Sequence, residues 1–134
     1  MADFIRIRKT NRNEYRVQIR VEGHVLNALI DTGTTNPDCT IGVGLDTVNY
    51  RAVSPYLRDF QTIAMEGVGS HGSDRVLGGM GRVSIEGLDD SEVETYVAEA
   101  GDNLLGVCYF HRLPGYELIW DLEAGEMTIR KKLR

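Results

Sequence analysis

Asp31-Thr32-Gly33 is the group of residues in this chain best placed to do chemistry. The run before it, Val25-Leu26-Asn27-Ala28-Leu29-Ile30, has the length and apolarity of a buried strand. It delivers a carboxylate straight onto a tight turn of two small residues. A carboxylate at the end of a core strand is constrained and partly desolvated, the setting in which a titrating group can be tuned for acid–base work. Taken alone, the tripeptide is also an ordinary strand-end turn, because Asp, Thr and Gly all favour turns. A second signal, Leu104-Leu105-Gly106, lies far downstream. In isolation it reads as core strand plus turn.

The elements around these residues read as β. Ile5 and Ile7 alternate with Arg6 and Arg8. Tyr15, Val17, Ile19 and Val21 alternate with Arg16, Gln18 and Arg20, the clearest half-buried strand in the sequence. Glu22-Gly23 turns the chain into the strand that ends at Asp31. Residues 34–50, rich in Thr, Gly, Asn and Asp, read as irregular loop. Ser54-Pro55 has the form of an N-cap followed by proline at the first helical position, so a short helix is expected over 55–60. Gly67-Val68-Gly69-Ser70-His71-Gly72 lies between two strand-like segments, the second broken by Gly78, Gly79 and Gly81, and suggests a long hairpin. Val93, Thr95 and Val97 alternate as another strand. Residues 104–110 are apolar and close with a short helical turn. Leu118 to Leu122, a Glu123-Ala124-Gly125 turn and Met127 to Ile129 form a last hairpin. No internal repeat or linker is visible, so residues 1–134 read as one all-β domain.

Composition narrows the function classes. A chain of 134 residues, 42% hydrophobic and 26% charged, holds one packed core and is too short for two. The formal charge of −5 argues against nucleic acid as the main partner. Arg6, Arg8, Lys9 and Arg12 at one end and Arg130, Lys131, Lys132 and Arg134 at the other read first as solvated strand faces and a tail. Cys39 and Cys108 do not amount to a disulfide framework, and Cys108 reads most simply as a buried small hydrophobe. His24, His71 and His111 are far apart, with no Cys or acid at ligand spacing. No metal and no cofactor are therefore expected. Met1-Ala2-Asp3-Phe4 lacks a basic-then-apolar leader and no apolar stretch approaches membrane length, so a soluble, cytoplasmic protein without a membrane partner is expected.

A strand ending in Ile30-Asp31-Thr32-Gly33, a glycine-rich hairpin, two aliphatics plus glycine, and a terminal hairpin follow one another in an order that resembles the retropepsin-like aspartic proteases. The resemblance spans roughly residues 15–130 and rests on order and spacing, since each motif is short. It implies a single-domain closed β-barrel of the acid-protease type, with a flap hairpin and at most one or two short helices. Asp31 would be catalytic. Thr32, Gly33, Leu104, Leu105 and Gly106 would support the catalytic loop. Gly67, Val68, Gly69, Ser70, His71 and Gly72 would form a flap over the substrate, and Ile119-Trp120-Asp121-Leu122 through Ile129 would close the domain. The chain departs from the family pattern at Thr34, where Ala or Ser is usual, and at Cys108, where Asp or Asn is common. Its loop over 35–62 is longer than in the minimal viral enzymes. These departures bear on efficient proteolysis rather than on architecture.

Peptide hydrolysis without a metal or covalent nucleophile needs one group to deprotonate water and another to protonate the carbonyl oxygen. Two carboxylates about 3 Å apart do both, because they share one proton. The chain has a single Asp-Thr-Gly; Asp102 and Asp121 are not second copies. The second Asp must then come from another molecule, which makes the expected enzyme an aspartic endopeptidase acting on peptides or proteins as a homodimer. Two other readings stay open. One is a binding or assembly module that keeps the dimeric β-fold with little protease activity. The other is a phosphoryl-transfer site around Ile30-Asp31-Thr32-Gly33-Thr34-Thr35, although such sites belong to longer α/β chains, and the phosphatases among them have a second Asp where this chain has Gly33.

Overall fold

The computed structural model describes residues 2–31, 39–65 and 74–132. In chain order the strands are β1 (Phe4–Arg8), β2 (Arg16–Val21), β3 (His24–Asp31), β4 (Ile41–Leu45), β5 (Arg58–Met65), β6 (Asp74–Ile85), β7 (Val93–Glu99), β8 (Leu104–Gly106), β9 (Tyr116–Asp121) and β10 (Glu126–Lys131). Two short helices, α1 (Thr47–Val53) and α2 (Val107–Arg112), follow β4 and β8.

The alternation along β2 decides which face is core: Ile19 and Val21 are fully buried and Val17 nearly so, while Gln18 and Arg20 face out. The Glu22-Gly23 turn has both residues at positive φ, +46° and +84°, the geometry of a two-residue hairpin whose twist matches its strands. β3 then runs antiparallel to β2 and parallel to β8. The order β2-β3-β8-β4-β7-β6 closes on itself through pairing of Ile19 with Ile85 and Val21 with Val83. The result is a closed six-strand barrel with β5 added outside β6.

A separate three-strand sheet, β1-β10-β9, joins the two ends of the chain. Its inner face carries Ile7, Met127 and Ile129 into the same core as the barrel residues. On its outer face Arg6 and Arg8 bridge to Glu126, and Arg130 bridges to Glu117. These three positive charges have acidic partners, as on a solvated strand face.

Three expectations are corrected. The segment read as loop over 34–50 holds β4 and the start of α1 within its described part. The helix expected over 55–60 is a single 3-10 turn, Ser54–Tyr56, after which Arg58 already starts β5. Leu57 must enter the core, where it is 7% exposed, and a continued helix would carry it away. The glycines of β6 also do not break the strand. A Cβ on Gly79 would lie 2.7 Å from both the Leu57 Cβ and the Phe60 ring, so glycine lets the β5 segment lie directly on β6.

Ion pairs tie the barrel's seams. The Glu22 side chain, 6% exposed, accepts the Arg82 backbone N–H at 2.6 Å and lies 3.3 Å from the Arg82 guanidinium and 3.6 Å from that of Arg58. Burial alone pushes its carboxyl up, but the Arg82 amide and guanidinium and the Arg58 charge outweigh burial and hold it below the usual glutamate value. The Asn103 amide and the Arg16 guanidinium, against some burial, likewise hold Asp102 low. Carboxyls depressed in the folded state stabilise it above their unfolded pKa, and that stabilisation is lost as pH falls through the folded value. The urea midpoint is therefore expected to drop as pH is lowered from about 5 to about 3. Glu22→Gln should flatten the drop. A midpoint constant over that interval would refute the assignment.

Candidate active site

β3 is held on both sides before it presents Asp31. The Ile30 N–H donates to the Tyr15 carbonyl at 2.8 Å, and the Leu29 N–H donates to the Asn103 carbonyl at 2.8 Å. In the parallel register with β8, Leu29 faces Leu104, Ile30 faces Leu105 and Asp31 faces Gly106. The first residue of one motif singled out in the sequence, Asp31, thus lies beside the last residue of the other, Gly106. Leu105 is fully buried, between β3 and β4, and Gly106 is buried where α2 begins. Asp31 itself is half-buried at the end of its strand.

Residues missed in the sequence reading hold this arrangement from behind. Arg16, on the first residue of β2, donates to Glu14 at 3.0 Å, to Asp102 at 2.8 Å and to Asn27 at 3.3 Å. It thereby fastens the start of the β2–β3 hairpin to the turn that leads into β8. The Asn103 side-chain oxygen accepts the Asp46 N–H at 2.9 Å, and Asp46 in turn caps α1 through the Asn49 N–H. The Tyr15 ring packs edge-on against Trp120, with centroids 4.9 Å apart, so the terminal sheet braces the same end of the barrel.

The cysteines are also corrected. Cys39 and Cys108, separated by 69 residues, are joined by a disulfide, with Cα atoms 5.1 Å apart. Cys108 is fully buried, as expected of a small hydrophobe, but it is not a free thiol. Thr32, Gly33 and the stretch Gly67, Val68, Gly69, Ser70, His71 and Gly72 lie outside the described residues. What is described is the frame of that hairpin: β5 and β6 pair antiparallel out to Met65 opposite Asp74. Among the described residues no three His, Cys, Asp or Glu side chains converge as a metal site would need, and no helix is long and apolar enough to cross a membrane.

The chain superposes on the crystal structure of a retropepsin-like aspartic protease from Rickettsia conorii with a TM-score of 0.65, covering 96% of this chain and 90% of that one at 14% identity. The fold is retropepsin-like. No protein-family model and no curated sequence matches the chain. Among the described elements are a strand ending at Asp31, an aliphatic-glycine strand paired with it, a short helix after that strand and a hairpin of β9 and β10. Identity of 14% speaks to architecture, so the chemistry has to be argued from this chain's own residues.

Proposed function

We propose that the chain is an aspartic endopeptidase that hydrolyses peptide bonds through two Asp31 carboxylates, one from each subunit of a homodimer. The observation that supports this reading is the register of β3 on β8. It sets Asp31 beside a buried glycine at the end of a rigid, doubly paired strand, within a retropepsin-like fold. One domain carries one such Asp, and the chemistry needs two.

In the proposed reaction the two carboxylates share a proton across the two-fold axis. The ionised one takes a proton from the water between them as that water attacks the scissile carbonyl carbon, and the protonated one gives its proton to the carbonyl oxygen. Collapse of the tetrahedral diol then breaks the C–N bond, with a proton passing to the leaving nitrogen. The substrate would bind extended, largely through its backbone, between the β5–β6 hairpin and the barrel.

Dilution tests the proposal, because a dyad split between subunits disappears with the dimer. Specific activity on a peptide substrate should fall as sedimentation shows dimer giving way to monomer, and approach proportionality to protein concentration at high dilution. Monomers that cleave with undiminished specific activity would refute it. A stable dimer without cleavage would favour the binding-module reading.

A further inference from the structure

Asp31 and Cys39 stand at the two ends of one short stretch of chain, and both ends are fixed to the same place. Asp31 is paired with Gly106, and Cys39 is bonded to Cys108, just past Gly106 in α2. α2 is a firm anchor. Tyr109, beside Cys108, is fully buried and donates its hydroxyl to the Ser91 carbonyl at 2.6 Å, while the Leu113 N–H caps the helix end on Phe110. Cys39 has φ +49°, a left-handed conformation that L residues avoid unless their surroundings impose it. Immediately after it, Thr40 joins the barrel through its carbonyl, which accepts the Thr95 hydroxyl at 3.1 Å and the Tyr96 N–H at 3.3 Å.

We infer that Cys39 and Cys108 are positioning residues for Asp31, their disulfide clamping the far end of the stretch that begins at the carboxylate, so that reduction slows turnover. The inference rests on the peptidase reading above. The reductant is a small dithiol. Its thiolate attacks Sγ of Cys39, the half-buried partner, and the S–S bond breaks, with the fully buried Cys108 leaving as a thiolate that takes up a proton. The second thiol then displaces Cys39 and the reagent departs as a cyclic disulfide. Two S–H bonds are gained by the protein and two are lost by the dithiol. An active centre clamped in this way suits an oxidising compartment and is silenced in a reducing one.

The experiment compares the full chain oxidised, reduced with dithiothreitol, and as the double variant Cys39→Ser/Cys108→Ser. Alkylation mass verifies the thiols, and the temperature is one at which circular dichroism shows all three folded. On reduction kcat should fall at least about tenfold while KM changes less than about twofold, because a misaligned carboxylate affects the chemical step more than binding. Reoxidation should restore the reduced chain, and the double variant should be slow and indifferent to the dithiol. If serines unfold the chain, Cys39→Ala/Cys108→Val replaces them. A reduced, folded chain that turns over as fast as the oxidised one overturns the inference. Should Asp31→Asn leave cleavage unchanged, or no cleavage be found, the peptidase reading is what fails, and amide hydrogen exchange then decides. Exchange at Asp31, Thr40 and Gly106 should quicken at least about tenfold on reduction, with that at Ile19 and Val83 unchanged. Equal exchange in both states overturns the inference.

Discussion

Asp31→Asn is expected to lower kcat/KM for peptide cleavage by at least about 10³-fold while leaving the fold and the dimer in place. Asn has nearly the shape of Asp but cannot accept the proton of water or hold one to donate, so both functions of the dyad vanish together. The position tolerates the change structurally: Asp31 is half-buried at a strand end, and its neighbours Ile30 and Leu29 are fixed through backbone bonds that the substitution does not touch. Mixing gives a sharper reading. When variant and native chains are exchanged in equal amounts, about a quarter of the dimers are wholly native by random pairing, and activity should fall to about a quarter rather than to half. Peptidase assays on the pure variant and on the exchanged mixture measure both numbers. Retention of full activity by the pure variant would remove Asp31 from the mechanism, and a fall to half would remove the shared dyad.

Leu105→Ala carries the largest expected loss of stability at the site. The side chain is fully buried, and its strand is only three residues long, wedged between β3 and β4. Removing it deletes packing and opens a cavity that so short a strand cannot close, at a cost of about 3 kcal/mol. For a domain of this size that corresponds to a fall of about 10 °C in Tm. Leu122→Ala is the control: Leu122 is 76% exposed and its loss should change stability by less than about 0.5 kcal/mol. Because Leu105 faces Ile30, the residue before Asp31, the variant should also lose turnover at temperatures where it is still folded. Equal melting of the two variants would show that β8 is not the support described here.

Much of this was legible in the sequence, for reasons that can be named. Strand β2 declares itself because one face is core and the other solvent, so apolar and polar residues alternate at period two, and β3 as an apolar run of strand length. The pairing of the strand end Leu29-Ile30-Asp31 with Leu104-Leu105-Gly106 was legible only through order along the chain, since nothing within either tripeptide specifies a parallel partner. β4 was hidden by its glycines. A Cβ on Gly42 would fall 2.5 Å from the Thr95 hydroxyl and one on Gly44 would fall 2.8 Å from the Ala100 Cβ, so neighbouring strands, not local propensity, demand glycine there. α1 buries only Val53 and therefore shows no helical periodicity, though its cap, Asp46 bonding the Asn49 N–H, was there to be read. The disulfide was hidden because sequence distance conceals spatial distance. Once the two motifs are neighbours, Cys39 and Cys108 share a neighbourhood as well.

The antiparallel closure of β1 on β10 and the parallel contact of β3 with β8 bear on the order of events during synthesis. Arg8 meets Glu126 across 118 residues, and Asp31 gains its neighbour Gly106 only once the residues between them have been made. Pairings so distant along the chain form late, because loops must close before any contact rewards them. A growing polypeptide on the ribosome therefore carries Asp31 for a time without the surroundings that orient it. Those surroundings arrive with the last strands, together with the sheet that ties the beginning of the chain to its end.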